Sequence, residues 1–192
     1  DVYSFLHEKF INRIDYLDNF NNISKELSNG VNFICDELKN SWKSLCHKDF
    51  HPGNIIVDKK GNICIIDFEK SKIDTPYIDS INLIENYTTR EIFNSEISKQ
   101  KLFSEFLQTI VDEGVETSLE KINRDFHLAG VFEHLYLFGS SSHFAKVEEL
   151  ENVRNYHYAS CKSHLKNLEK FYSGNSLERL TDFDKILCET TN

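Results

Sequence analysis

The chain has 192 residues, 40% of them hydrophobic and 12% aromatic, enough to build a globular core and inconsistent with a disordered segment. Its 22 Lys and Arg stand against 31 Asp and Glu, and the formal charge of −9 excludes a general electrostatic attraction to nucleic acid or to an anionic membrane face. The longest apolar runs, Ile63-Cys64-Ile65-Ile66 and Leu135-Tyr136-Leu137-Phe138, fall far short of the roughly 20 residues a spanning helix needs.

In chain order, Tyr3, Phe5, Leu6, Phe10, Ile14 and Leu17 have the spacing of a helix over 3–18. Ile23, Leu27, Val31, Ile34 and Leu38 predict a second. From about Ser44 the period changes. Ile55-Ile56-Val57, the turn Lys59-Lys60-Gly61-Asn62 and Ile63-Cys64-Ile65-Ile66 predict two short strands in a hairpin. Helical spacing resumes after Pro76 through Ile84, then over Leu102 to Val111, Leu119 to Tyr136 and Leu150 to Phe171, with a short last helix over Leu177 to Leu187. The fold class expected is mainly α with a small β-hairpin, as a single domain over 1–192. It divides into a helical lead-in (1–43), a loop and hairpin (44–70) and a helical remainder (71–192).

Five scattered cysteines without a Cys-x-x-Cys pair point to reduced thiols in a cytoplasmic protein rather than to a disulfide framework or a zinc knuckle. The chain has no methionine, even at position 1, so a further segment is expected upstream of Asp1.

The chemistry concentrates in Leu45-Cys46-His47-Lys48-Asp49-Phe50-His51-Pro52-Gly53-Asn54. Asp49 and Asn54 lie five residues apart around a Pro-Gly turn, and Asp67 ends the second strand thirteen residues beyond Asn54. Phosphoryl transfer to a hydroxyl needs a carboxylate beside the nucleophile and oxygen ligands holding Mg²⁺ against phosphates, all on rigid supports. A tight loop can aim Asp49 while Asn54 turns toward a metal, and the hairpin returns Asp67 alongside, its strand fixed by burial of Ile65 and Ile66.

This is the spacing of a kinase catalytic loop followed by a strand-terminal metal Asp. With His-Pro-Gly inside the loop, the segment resembles the aminoglycoside phosphotransferase and choline kinase family, within the protein-kinase-like fold. The resemblance covers about Leu45 to Leu83. It implies that Asp49 is the catalytic base or hydroxyl orienter and that Asn54 and Asp67 hold Mg²⁺ and, through it, ATP or GTP. Glu69 is a second-tier metal ligand. His47 and His51 support the loop, and Asp79, in a stretch similar to the family's Asp-Pro-x-x-Asp-Leu-Ala, caps a helix or bonds back to the loop. The family's Gly-rich loop and strand-borne Lys have no counterpart before His47. The chain therefore resembles a C-terminal kinase lobe, with the N-terminal lobe expected upstream and the isolated lobe expected to be inactive.

Blander readings stand beside each assignment. Asp49 with Pro52-Gly53-Asn54 is also turn chemistry. The alternation of His47, Asp49 and His51 could serve a transition metal or a metal-dependent hydrolase, but Pro52-Gly53 disfavours the strand this needs. Lys48, where the family often has Gly, is expected to point outward. His127, His134, His143, His157 and His164 lack a matched carboxylate and are expected to be packing residues. Between Glu85 and Glu120, eight Asp and Glu face three Lys and Arg, a solvated helix face or an attraction for a cationic acceptor.

The leading function is an ATP-dependent phosphotransferase, a small-molecule kinase acting on a hydroxyl of a small cationic molecule. The alternative is a non-catalytic, kinase-derived binding or scaffold protein. Nucleotide and acceptor are the expected partners, with no nucleic acid and no membrane.

Overall fold

The computed structural model describes residues 24–87, 96–115, 118–144 and 148–189. The helix expected over 3–18 lies outside the described residues, as does the side chain of His143. Two compact units divide the chain, residues 41–126 forming one and the residues on either side of that span the other. Among the described residues the fold is mainly helical with small antiparallel strand pairs, and no helix is long and apolar enough to cross a membrane.

In the unit of residues 41–126, β1 (Ser44–Cys46) pairs antiparallel with β4 (Lys72–Asp74), and β2 (Ile55–Val57) pairs with β3 (Ile63–Ile65) in the expected hairpin. The β1–β4 pair was not legible, because its two halves lie far apart in sequence and each is only three residues long. The hairpin turn is closed by Asp58, whose Oδ1 accepts from the amides of Lys60 at 2.7 Å and Asn62 at 2.9 Å, while Gly61 supplies a φ of +83°.

Burial does not fix this hairpin, contrary to the sequence reading. Ile65 and Ile66 are 39% and 38% exposed, and Ile56, Val57 and Ile63 still more so. The strands form a two-stranded ribbon, so side chains on neither face meet a second layer of sheet. Pairing, the Asp58 turn and the Ile66 peptide hold it instead. Behind the strands, α2 (Tyr77–Ile84) buries Tyr77, Ile78, Ile81 and Ile84. The Tyr77 ring meets Phe106 of α3 (Glu96–Asp112) edge-on at 6.0 Å, and Phe103 packs on Phe126 at 4.1 Å.

The helix α4 (Leu119–Phe144) belongs to this unit up to Phe126 and to the other from His127. The second unit adds α1 (Ser24–Lys39), α5 (Glu148–Leu168) and α6 (Gly174–Glu189). Gly30 permits α1 to approach α6, for a Cβ there would stand 2.3 Å from the Phe183 ring. Val31, Ile34, Leu38, Leu180, Phe183 and Leu187 form the core of that contact. The hydroxyl of Tyr172 donates to Glu37 at 2.8 Å.

Candidate active site

The loop leaving β1 is shaped by backbone groups that find side-chain partners. The amides of His47 and Lys48 donate to the two carboxylate oxygens of Asp79, at 2.6 and 2.9 Å, from the first turn of α2. Two parallel amides on one carboxylate require the chain to turn sharply, and Lys48 does so at φ +67°. An L residue there costs roughly 1–2 kcal/mol.

Lys48 does not point outward as expected. Its ammonium donates to Asp74 Oδ2 at 2.9 Å, the two side chains being only 10% and 1% exposed. The reason lies in Asp74, a carboxylate at the end of β4 that is almost wholly buried and so demands a cation. Lys72 reaches the same oxygen only at 4.0 Å, and the Thr75 amide donates to Oδ1 at 2.8 Å.

Asp49 follows. Its carboxylate pairs with Lys70 at 2.6 Å, and His51 Nε2 stands 3.9 Å away. Its carbonyl accepts from Asn54 Nδ2 at 2.9 Å and from the His51 amide at 3.0 Å. His51 Nδ1 accepts from Gly53 N at 3.1 Å and caps the single 3₁₀ turn Pro52–Asn54. Asn54 is buried, and its carbonyl accepts from the Ile66 amide at 3.0 Å. The Ile66 carbonyl lies 2.7 Å from His47 Nε2, which must therefore carry the proton, while His47 Nδ1 is buried without a hydrogen-bond partner. One residue thus ties the end of β3 to both ends of the loop.

Asp67 comes immediately after, in the left-handed region at φ +66°, and opens the 3₁₀ turn Phe68–Lys70 that carries Glu69. The Phe68 ring lies 4.6 Å from that of His47. Lys70 is held above its usual pKa, chiefly by its hydrogen bond to Asp49, which outweighs an opposing desolvation, with the charges of Asp49, Glu69 and Asp67 adding to the rise. Asp49, Glu69 and Asp67 thus all act on the Lys70 ammonium, and Asn54 is tied to the Asp49 carbonyl, while His47, His51 and Asp79 hydrogen-bond within and behind the loop.

The sequence reading missed Lys70 and Asp74. Lys70 follows Asp67 by three residues, one 3₁₀ turn on, which was a usable signal; nothing local marked Asp74.

Among the described residues Asp49, Asp67 and Glu69 do not form a cage of carboxylates within 4.8 Å of one another. Mg²⁺ does not need one, since it keeps several waters and takes one or two protein oxygens. The Asn54 side-chain carbonyl and the Asp67 carboxylate are hard oxygen donors of that kind. Behind the loop lies an apolar cavity of about 380 Å³, lined among others by Phe50, Ile65, Phe68, Leu83, Leu102 and Phe106. On α3, Glu105 lies 3.8 Å from Lys101 and Asp112 accepts from Gln108, as on a solvated helix face.

Residues 28–102 match the model of the phosphotransferase enzyme family. The resemblance carried by the loop and hairpin is thus shown over that stretch, which also takes in α1, α2 and the start of α3. A protein of Mycoplasma pneumoniae described as "Uncharacterized protein MG356 homolog" is 36% identical over 64 residues, 33% of this chain and 23% of that protein. The chain therefore spans less than a quarter of the length of this relative. No solved structure matches. The family's description names phosphotransferase chemistry in general.

Proposed function

We propose that the unit of residues 41–126 carries the phosphoryl-transfer loop of a small-molecule kinase, with the chain forming the C-terminal, acceptor-binding lobe. Asp49 accepts the proton of the acceptor hydroxyl. Asn54 and Asp67 hold Mg²⁺, with Glu69 as a secondary ligand, and the ion supplies charge neutralisation for the phosphates of ATP or GTP. The acceptor is a small cationic alcohol, aminoglycoside-like or choline-like, drawn by the acidic stretch of sequence between Glu85 and Glu120.

The observation that supports this reading is the double tie of the Ile66 backbone, its amide to the Asn54 carbonyl at 3.0 Å and its carbonyl to His47 at 2.7 Å, one residue before Asp67. The alternative, a non-catalytic scaffold, draws support from the Asp49–Lys70 pair, which engages the carboxylate the base role requires. That pair is open to solvent, at 32% and 56% exposure. Such pairs are worth about 0–1 kcal/mol and exchange readily for a substrate.

The test is nucleotide turnover by the full-length protein with and without Mg²⁺ across aminoglycosides, choline-like alcohols and sugars. Asp49→Ala is expected to lower turnover by roughly 10²–10⁴-fold with the fold intact. A loss under about tenfold removes the base assignment, and a wild-type protein inert on every acceptor favours the scaffold.

A further inference from the structure

The apolar cavity of about 380 Å³ behind the loop lies wholly within the unit of residues 41–126, and none of Asp49, Asn54 and Asp67 lines it. It therefore has no part in the phosphoryl-transfer reading. Its walls are Ile65, Leu83 and Leu102 among others, with the rings of Phe50, Phe68 and Phe106. Small-molecule sites are built this way, as concave spaces of roughly 300–1,000 Å³ that are mostly apolar and carry a few convergent polar groups.

The polar side chains on this wall are Cys46, His47, Asp79 and Ser80, and none has a proton left to offer. Asp79 accepts from the amides of His47 and Lys48 at 2.6 and 2.9 Å, both neutral donors, and no ion pair to it occurs among the described residues. His47 donates its one ring proton, on Nε2, to the Ile66 carbonyl at 2.7 Å. Its Nδ1 is left a bare lone pair, buried without a hydrogen-bond partner. The Ser80 hydroxyl donates to the Pro76 carbonyl at 3.0 Å, and the Cys46 thiol to the Asp74 carbonyl at 3.1 Å. That thiol is pushed above its ordinary pKa, first by burial and then by the Asp79 charge, so the charge is felt along the wall.

A carboxylate without a counter-charge, an imidazole lone pair without a donor and walls of hydrocarbon call for a ligand opposite in kind. It must be a cation, donate more than one hydrogen bond and carry an apolar body. A primary ammonium compound meets all three conditions. Its three N–H groups can serve Asp79 and His47 together, and the phenylalanine rings favour a cation by their faces. An alcohol brings one proton and no charge, and an anion would meet Asp79 without compensation. We propose that this cavity binds a small primary ammonium compound with an aromatic body, held by Asp79 and His47. The site is separate from the acceptor position at Asp49 and independent of the phosphotransferase reading.

The experiment titrates the full chain at neutral pH, without nucleotide or Mg²⁺, with three molecules of similar shape: phenethylammonium, phenethyl alcohol and phenylacetate. Protein NMR shifts report binding. Phenethylammonium is expected to bind with a Kd below about 1 mM, at least about tenfold tighter than the alcohol, and phenylacetate not at all. The affinity should fall about tenfold or more in Asp79→Asn, which keeps an oxygen but not the charge, and in Leu83→Trp, which fills the cavity, with circular dichroism reporting each fold. No binding of phenethylammonium by the wild-type chain overturns the proposal. So does an alcohol or an anion that binds as tightly, or a folded variant of either kind with unchanged affinity. Should neither variant fold, nuclear Overhauser contacts from the ligand ring to the wild-type chain decide. Contacts to Leu102 and Phe106 support the site, and contacts confined to other residues refute it.

Discussion

Removing the charge of Lys48 tests whether the loop is braced from behind. Its ammonium and Asp74 are 2.9 Å apart and 10% and 1% exposed, so Lys48→Met strands a buried carboxylate. Losing one partner of such a pair costs about 3–5 kcal/mol. Here Lys72 at 4.0 Å and the Thr75 amide at 2.8 Å remain, which brings the expectation down to about 2–3 kcal/mol. Asp74→Asn should cost a similar amount, for it leaves two ammonium groups facing a neutral amide. The double variant should cost less than the two single costs together, by a coupling of about 1.5 kcal/mol or more, because it strands neither charge. Urea unfolding of the four proteins measures this, provided the slope with denaturant stays constant. A coupling below about 0.5 kcal/mol would show that the two groups do not depend on each other and would refute the brace.

Three further outcomes follow from the same contacts. Asp79→Ala leaves the amides of His47 and Lys48 without their charged acceptor, and should destabilise the fold by about 2–4 kcal/mol in urea, with Asp79→Asn milder because it keeps one oxygen. The Asp58 carboxyl is held below its usual pKa, first by the side chain of Asn62 and then by backbone amides, so its contribution is present above the unfolded value near 3.9 and lost as pH falls through the folded one; the stability deficit of Asp58→Ala should be largest above about pH 5 and shrink below about pH 4 in pH-resolved unfolding. Gly30→Ala should lower the melting temperature despite the better helix propensity of alanine. Its Cβ would meet Phe183 ring atoms at 2.3–2.5 Å, and overpacking of this kind costs about 1–3 kcal/mol.

What was legible followed from how local each feature is. The hairpin was readable because Ile55-Ile56-Val57, the Asp58 to Asn62 turn and Ile63-Cys64-Ile65 specify it within eleven residues. The helices from α1 to α6 were readable from apolar spacing alone, and the loop from Asp49, Asn54 and Asp67. Lys48 was misread because its partner is 26 residues away on a strand whose pairing with β1 has no local signature. The exposure of Ile65 and Ile66 was misread for a related reason: an apolar run says that a strand is favoured, not that a second layer will cover it.

The histidines show the same limit from the other side. Each of His127, His134, His157 and His164 taken singly is an ordinary packing residue, and no window along either helix distinguishes it. The repeated seven-residue separation was visible on both helices, yet it acquires meaning only if α4 and α5 run antiparallel with one particular offset. A shift of a single turn, about 5.4 Å, would part both pairs together. The Nδ1 distances of 2.8 and 3.0 Å therefore report the register of the two helices more sharply than their apolar contacts do, since leucines tolerate a sliding neighbour and imidazole nitrogens do not.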